Sequence, residues 1–115
     1  MGRIVIVAYK PKAGRSSALK TLVAGHVPRL RELGLVTDRE SICMEAEDGT
    51  IVEVFEWASA DAIQAAHEHE QVQHLWSEFT VLCEYIPVGE TSEAAKLFSE
   101  YAAMDFDYPG QGLTA

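Results

Sequence analysis

Apolar and polar positions alternate along this chain in two different periods. Arg3-Ile-Val-Ile-Val-Ala-Tyr9 is short, β-branched and ended by Lys-Pro-Lys-Ala-Gly, which predicts a strand. Ser16 or Ser17 then offers a hydroxyl to cap a helix, in which Leu19, Leu22, Val23, Val27, Leu30 and Leu33 keep helical spacing up to a stop at Gly34. Pro28 has no backbone donor and is expected to kink that helix. Ser41–Glu47 and Thr50–Trp57 flank Asp48-Gly49, a strong hairpin signal. Ser59 is expected to cap a further helical region carrying Ile63, Ala66, Val72, Leu75, Trp76, Phe79 and Leu82. Its spacing stumbles between Glu68 and Gln71, which predicts two shorter helices. Glu84–Val88 reads as a last strand, with Pro87 arguing for a sheet edge.

The resulting order, β-α-β-β-α-β, is that of the ferredoxin-like split unit, an α+β fold with an antiparallel sheet. It takes residues 1–88. Residues 89–115 form an extension, read as a helix from Ser92 to Met104 with Ala95, Leu97, Phe98, Tyr101 and Ala102 on its apolar side, then a frayed tail from Asp105. Alternation divides each strand into two faces. Ile4, Ile6 and Ala8, with Ile42, Met44, Ala46, Val52 and Val54, suit the face covered by helices. The opposite face then shows Val5, Val7, Tyr9, Cys43, Glu45, Ile51, Glu53, Phe55 and Trp57, which is too apolar for open water. A homodimer with its sheets face to face hides that surface and leaves an aromatic-lined cleft between them.

Composition narrows the function classes. The 115 residues are 48% hydrophobic and 23% charged, ordinary for one globular domain. The net charge of −9 disfavours nucleic acid. The charge is also segregated. Residues 1–39 carry eight of the nine Lys and Arg but only Glu32 and Asp38 as acids, while residues 40–115 carry Lys96 and sixteen acids. In a dimer, a basic first helix could meet an acidic C-terminal segment of the partner. The apolar run Ile4–Tyr9 is far short of a membrane span, and no small-residue cleavage site follows it. The expectation is a cytoplasmic protein with no membrane partner. Cys43 and Cys83 fall at opposite sides of the expected sheet and read as small apolar residues rather than a disulfide.

Val52-Glu-Val-Phe-Glu-Trp-Ala-Ser59, followed by Ala62, Ala66-His67, Val72, Leu75-Trp76 and Phe79, resembles the antibiotic-biosynthesis-monooxygenase-like proteins of the dimeric α/β-barrel superfamily. The shared pattern is a third strand ending in an aromatic residue, a helix with a central histidine, and an aromatic residue before the last strand. The resemblance covers residues 3–88. It implies a homodimer with a pocket between sheet and helices. Some members are cofactor-free oxygenases of polyketide aromatics, others degrade haem. Trp57 matches a tryptophan of the haem-degrading members, but the position of their ligating histidine falls at or next to Trp76. His74 is two residues away, and Ala8 or Tyr9 stands where they carry an asparagine. Haem oxidation is therefore not expected. The reading is a monooxygenase-like protein binding a small aromatic or polyketide-like molecule without a cofactor. The alternative is a non-catalytic dimeric binding or accessory protein.

The candidate residues follow from the expected faces. His67 lies on the second helical region near Ile63 and Ala66, and imidazole titrates close to neutrality, which suits proton transfer. The competing role is a histidine satisfied by a backbone carbonyl or by Glu53. Glu53, between Ile51 and Phe55, could take a proton from a phenol or enol, or could pair with Arg3 or a neighbouring histidine. His67 and Glu53 are the candidate catalytic residues. Tyr9, Phe55, Trp57 and Trp76 are the candidate substrate-binding residues. His26, just before Pro28, reads as partly exposed or associated with the kink. No metal is expected, because only His67 and His74 among His67, His69 and His74 share a helix face, and they are two turns apart. Lys12-Ala-Gly-Arg-Ser16 lacks phosphate-loop spacing, so no nucleotide cofactor is indicated.

Overall fold

The structure, a computed structural model, describes residues 1–106. The expected tail beyond Phe106 lies outside the described residues. β1 (Arg3–Pro11) is the longest strand. It pairs antiparallel with β3 (Ile51–Trp57), Val7 opposite Glu53 and Tyr9 opposite Ile51, and on its other side with β4 (Cys83–Ile86), Tyr9 opposite Tyr85. β2 (Ile42–Glu45) pairs with β3, and β5 (Ala102–Met104) pairs with β2. The result is a five-stranded antiparallel sheet of order β4-β1-β3-β2-β5. The β2–β3 turn places Gly49 at φ +93°, a conformation open to glycine, and the Asp48 carboxylate accepts the Thr50 N–H at 2.9 Å.

Three helices, α1 (Ser16–Glu32), α2 (Ala60–Glu68) and α3 (Glu70–Leu82), lie on one side of the sheet. α1 continues through Pro28, which lies inside it. It begins at Ser16 after Arg15, with no side-chain cap, so neither serine fills the role expected of it. It ends as Gly34 requires: Gly34, at φ +75°, donates to Arg31 O and Leu35 donates to Leu30 O, a Schellman closure. Ser59 caps α2 through the Ala62 N–H at 3.0 Å. The break between α2 and α3 falls at His69, whose Nδ1 accepts from Gln71 N. Among the described residues no helix is long and apolar enough to cross a membrane. Cys43 and Cys83 are free and buried.

The structure reverses the expected faces. The helices cover Tyr9, Ile51, Glu53, Phe55 and Trp57, all buried, while Ile4, Ile6 and Ile42 stand 54–58% exposed on the far side. The aromatic residues therefore do not face a second sheet. Large rings remove more apolar area from water than isoleucine does, and α1 and α3 supply ring partners and hydrogen-bonding groups for Tyr9 and Glu53. A flat aliphatic face cannot satisfy a carboxylate.

The expected C-terminal helix is also overturned. Residues 88–90 and 92–95 form single short 3-10 turns, and Ala102–Met104 is a strand. β4 and β5 are the two opposite edges, so the segment between them must cross the sheet. The helices hold the inner face, and the segment crosses the outer one, where Ala8 and Val52 are buried. The Glu93 carboxylate anchors it by accepting the Glu47 N–H at 2.7 Å, and Thr91 bonds Tyr101 at 2.6 Å. Periodic apolar residues do not make a helix unless the stripe packs, and here Leu97 and Phe98 stay exposed. The open edge of β2, by contrast, has backbone groups that need partners.

Candidate functional site

Period two on β3 sends Glu53, Phe55 and Trp57 to the inner face, and the β1 register sets Tyr9, Val7 and Val5 beside them. On α1 the buried stripe is Leu19, Val23, His26, Val27 and Leu30, so His26 points at the sheet with the core leucines and valines. On α3 Val72, Trp76 and Phe79 take the inward positions, Val72 and Phe79 being fully buried. Four elements, β1, β3, α1 and α3, thus converge on one spot, with α2 closing its side.

At that spot Glu53 is 1% exposed. Oε1 accepts the Tyr9 O–H at 2.8 Å and the His26 Nδ1–H at 2.8 Å, while the Cys43 thiol lies 3.9 Å from Oε2. The Tyr9 oxygen and His26 Nδ1 stand only 3.4 Å apart because both donate to the same atom. A buried carboxylate is sustained by such donors. The other nitrogen of His26 faces Trp76, whose indole Nε1 is 3.2 Å from Nε2. Indole can only donate, so Nε2 accepts, and the ring is neutral with its proton on Nδ1. The order of bonds is Trp76 to His26 to Glu53, with Tyr9 joining at the carboxylate.

The same geometry fixes the donors. Burial, then the Glu53 charge, pushes the Tyr9 phenol well above its ordinary range. Burial first and Glu53 second push the Cys43 thiol up to about 12. Tyr85, packed 5.6 Å from the Tyr9 ring, is pushed up to about 12, chiefly by burial. All three stay protonated at neutral pH.

A cavity of about 540 Å³ opens beside this cluster, between the sheet and helices α2 and α3. Val5, Val7, Phe55 and Trp57 form its sheet wall, Ile63, His67 and Trp76 its helix wall, and Gln73, Ser77 and Thr80 further polar lining. Tyr9, His26 and Tyr85 also line it. Phe55 and Trp57 meet edge to face at 5.2 Å, and Trp57 meets Trp76 at 6.4 Å, so one side of the cavity is aromatic. This size and balance of apolar walls with a few polar groups suit a small organic molecule. A larger groove of about 1090 Å³ runs outside, between α1 and α3, and contains none of the candidate residues. Among the described residues, no three His, Cys, Asp or Glu side chains gather as metal ligands.

Tyr9, Phe55, Trp57, His67 and Trp76 all reach the cavity. Glu53 does not line it, but lies beneath Tyr9 and His26. His67 and Glu53 are not joined. His67 is exposed, its Nδ1 bonded to Ile63 O at 2.8 Å and its ring 5.3 Å from Trp76. That bond keeps the proton on Nδ1 and leaves Nε2 as the basic nitrogen. His26 is 3% exposed and central, which corrects its reading as a partly exposed residue of a kink. Its signal was its place in the stripe with Leu19, Val23 and Leu30. Comparison with protein-family models, with curated proteins and with solved structures finds no match for this chain.

Proposed function

We propose that the cavity between the sheet and helices α2 and α3 binds a small aromatic or polyketide-like molecule, and that the protein acts on it as a cofactor-independent, oxygenase-like enzyme. The observation that carries this reading is the convergence of Tyr9, Phe55, Trp57, His67 and Trp76 on one cavity of about 540 Å³. Flat rings suit a cavity walled by Phe55, Trp57 and Trp76, and a histidine offers a basic nitrogen to a phenol or enol. Removing that proton enriches the ring in electrons, the step that prepares such a molecule for dioxygen. The strand order β4-β1-β3-β2 supports a ferredoxin-like unit, with β5 added at the edge.

The same reading includes a homodimer of the dimeric α/β-barrel kind, formed through the outer face rather than the aromatic one. Ile6, Val54 and Ile42 are register partners across β1, β3 and β2, and Ile4 continues the patch along β1. Ile4, Ile6 and Ile42 are more than half exposed, an apolar sheet surface that a two-fold partner covers with its own copy.

Binding and turnover are separable by experiment. Naphthols and hydroxyanthraquinones should raise the melting temperature in proportion to affinity and, in air, be converted to oxygenated products detectable by mass spectrometry. Stabilisation without product supports the second reading, a binding or accessory protein. The closed hydrogen bonding of His26, whose two nitrogens are already engaged, favours that second reading in the unliganded state. Absence of any thermal shift across the panel overturns both.

A further inference from the structure

The basic nitrogen that lies deepest beside the cavity is already occupied. His26 Nε2 accepts from the Trp76 indole at 3.2 Å, and Nδ1 is committed to Glu53 at 2.8 Å. Trp76 is half-buried and forms part of the cavity wall, whereas His26 and Glu53 are locked in the core. The movable member of this chain of bonds is therefore the tryptophan.

We propose that Trp76 is a gate on a proton acceptor: a ligand hydroxyl displaces the indole from His26 Nε2 and gives its proton to that nitrogen. The cavity thereby selects small aromatic or enolic molecules that carry an acidic hydroxyl. This rests on the reading of the cavity as a ligand site and adds the class of ligand and the acceptor atom. The step balances within the site. The ligand O–H bond breaks, the new N–H bond forms at Nε2, the ligand keeps the electron pair as a phenolate or enolate, and His26 becomes an imidazolium between two anions. Glu53 does not touch the ligand. It is a positioning residue that holds the ring by Nδ1 and stabilises the imidazolium charge, since a bond to a charged partner is roughly twice as strong as a neutral one.

The surroundings leave His26 as the group that responds. Tyr9 on β1 and Cys43 on β2 are held protonated by burial and the Glu53 charge, and Tyr85 on β4 likewise by burial. Glu53 on β3 is the carboxylate in hydrogen-bonding contact with the ring, and Phe55 and Phe79 cover the rest of it edge-on, at 5.6 and 5.1 Å. His67 on α2 meets the far partner, Trp76, and not His26.

The test uses p-nitrophenol, whose anion is yellow, and nitrobenzene, which has the ring and nitro group without the hydroxyl. At a pH where free p-nitrophenol is colourless, the bound form should be yellow. His26→Gln keeps a donor for Glu53 but is not basic, and should abolish the colour. Trp76→Phe removes the indole N–H and keeps an aromatic wall, and should bind p-nitrophenol roughly fivefold to tenfold tighter, the worth of one neutral hydrogen bond. Nitrobenzene has no hydroxyl to compete for Nε2, so it reports what Trp76→Phe does to the wall alone, and the gain for p-nitrophenol is read relative to it. If His26→Gln fails to fold, Trp76→Phe decides the matter alone. Colourless binding, or binding of both probes unchanged by Trp76→Phe, overturns the gate while leaving the ligand site intact. Failure of both probes to bind overturns the gate and the ligand site together.

Discussion

Glu53 Oε1 stands 2.8 Å from His26 Nδ1, and this bond ties the middle strand of the sheet to the centre of α1 inside the core. A carboxylate in that position is stable only while its donors remain. Glu53→Ala leaves the Tyr9 O–H and the His26 Nδ1–H without an acceptor in a space water does not easily fill. The expected loss is about 2–6 kcal/mol, from about 1–3 kcal/mol for each buried donor left without an acceptor. Glu53→Gln keeps an acceptor oxygen and should lose less than half as much. Urea denaturation of both variants checks this, and equal losses would show that shape alone, not hydrogen bonding, matters at position 53.

Tyr9 stacks on Phe79 at 4.9 Å while its hydroxyl serves Glu53 at 2.8 Å. Tyr9→Phe keeps the stack and removes the donor, so a loss of about 1–3 kcal/mol is expected. The pH dependence has a definite sign. The Tyr9 phenol is raised in the folded state, so its neutral form contributes stability that is complete below the ordinary tyrosine range and lost as pH rises toward the folded value. Between the ordinary tyrosine range and the folded value, native protein should therefore lose stability more steeply with rising pH than Tyr9→Phe, whose position 9 has nothing to ionise. Ultraviolet titration of phenolate absorbance together with circular dichroism reads both. Smooth ionisation of every tyrosine near its ordinary range, before unfolding, is the contrary result.

The fold was legible wherever local rules decide. The Asp48-Gly49 turn, the Gly34 stop, the Ser59 cap and the break before Gln71 all follow from backbone chemistry within a few residues, and all occur. Which sheet face the helices cover was not legible. Period two separates Ile4 and Ile6 from Val5 and Val7 but does not say which set turns inward, because both are apolar. His26 was hidden for a related reason. Its role depends on Glu53 and Trp76, 27 and 50 residues away in sequence. The helical stripe did place it among core residues, and that positional signal outweighs its neighbour Pro28. The segment after Val88 misled because Leu97, Phe98 and Tyr101 mimic a helical stripe, yet Leu97 and Phe98 are 94% and 76% exposed.

The anchor of that segment predicts an acid-sensitive strap. Glu93 is held below the usual carboxylate range, first by the Glu47 N–H it accepts at 2.7 Å. A carboxyl with a folded value below its unfolded one stabilises fully above the ordinary range, and that contribution disappears as pH falls through the folded value. Below the carboxylate range the strap should loosen before the sheet does. The protection of the Glu47 N–H against hydrogen exchange and the resistance to proteolysis near Leu97-Phe98 should both fall once the pH is below the carboxylate range. Glu93→Ala should show the fast exchange already at neutral pH, and if it exchanges as slowly as the native chain, the Glu93 side chain is not the anchor.

The outer face predicts the oligomeric state. Ile6, Val54 and Ile42 form a row across three strands, with Ile4 on the same side, and the crossing segment leaves Ile4, Ile6 and Ile42 bare. Apolar sheet surface of this kind draws a second copy in water, and a two-fold pairing uses it twice. Light scattering at micromolar concentration should report a dimer. Ile6→Lys places a charge in the middle of that row, where the side chain is 54% exposed in one chain, so the fold of the single chain is expected to survive. The variant should run as a monomer with unchanged circular dichroism. Because the cavity lies on the other side of the sheet, its affinity for an aromatic ligand should be retained. A native chain that is monomeric, or an Ile6→Lys variant that still dimerises, removes the outer face as the interface.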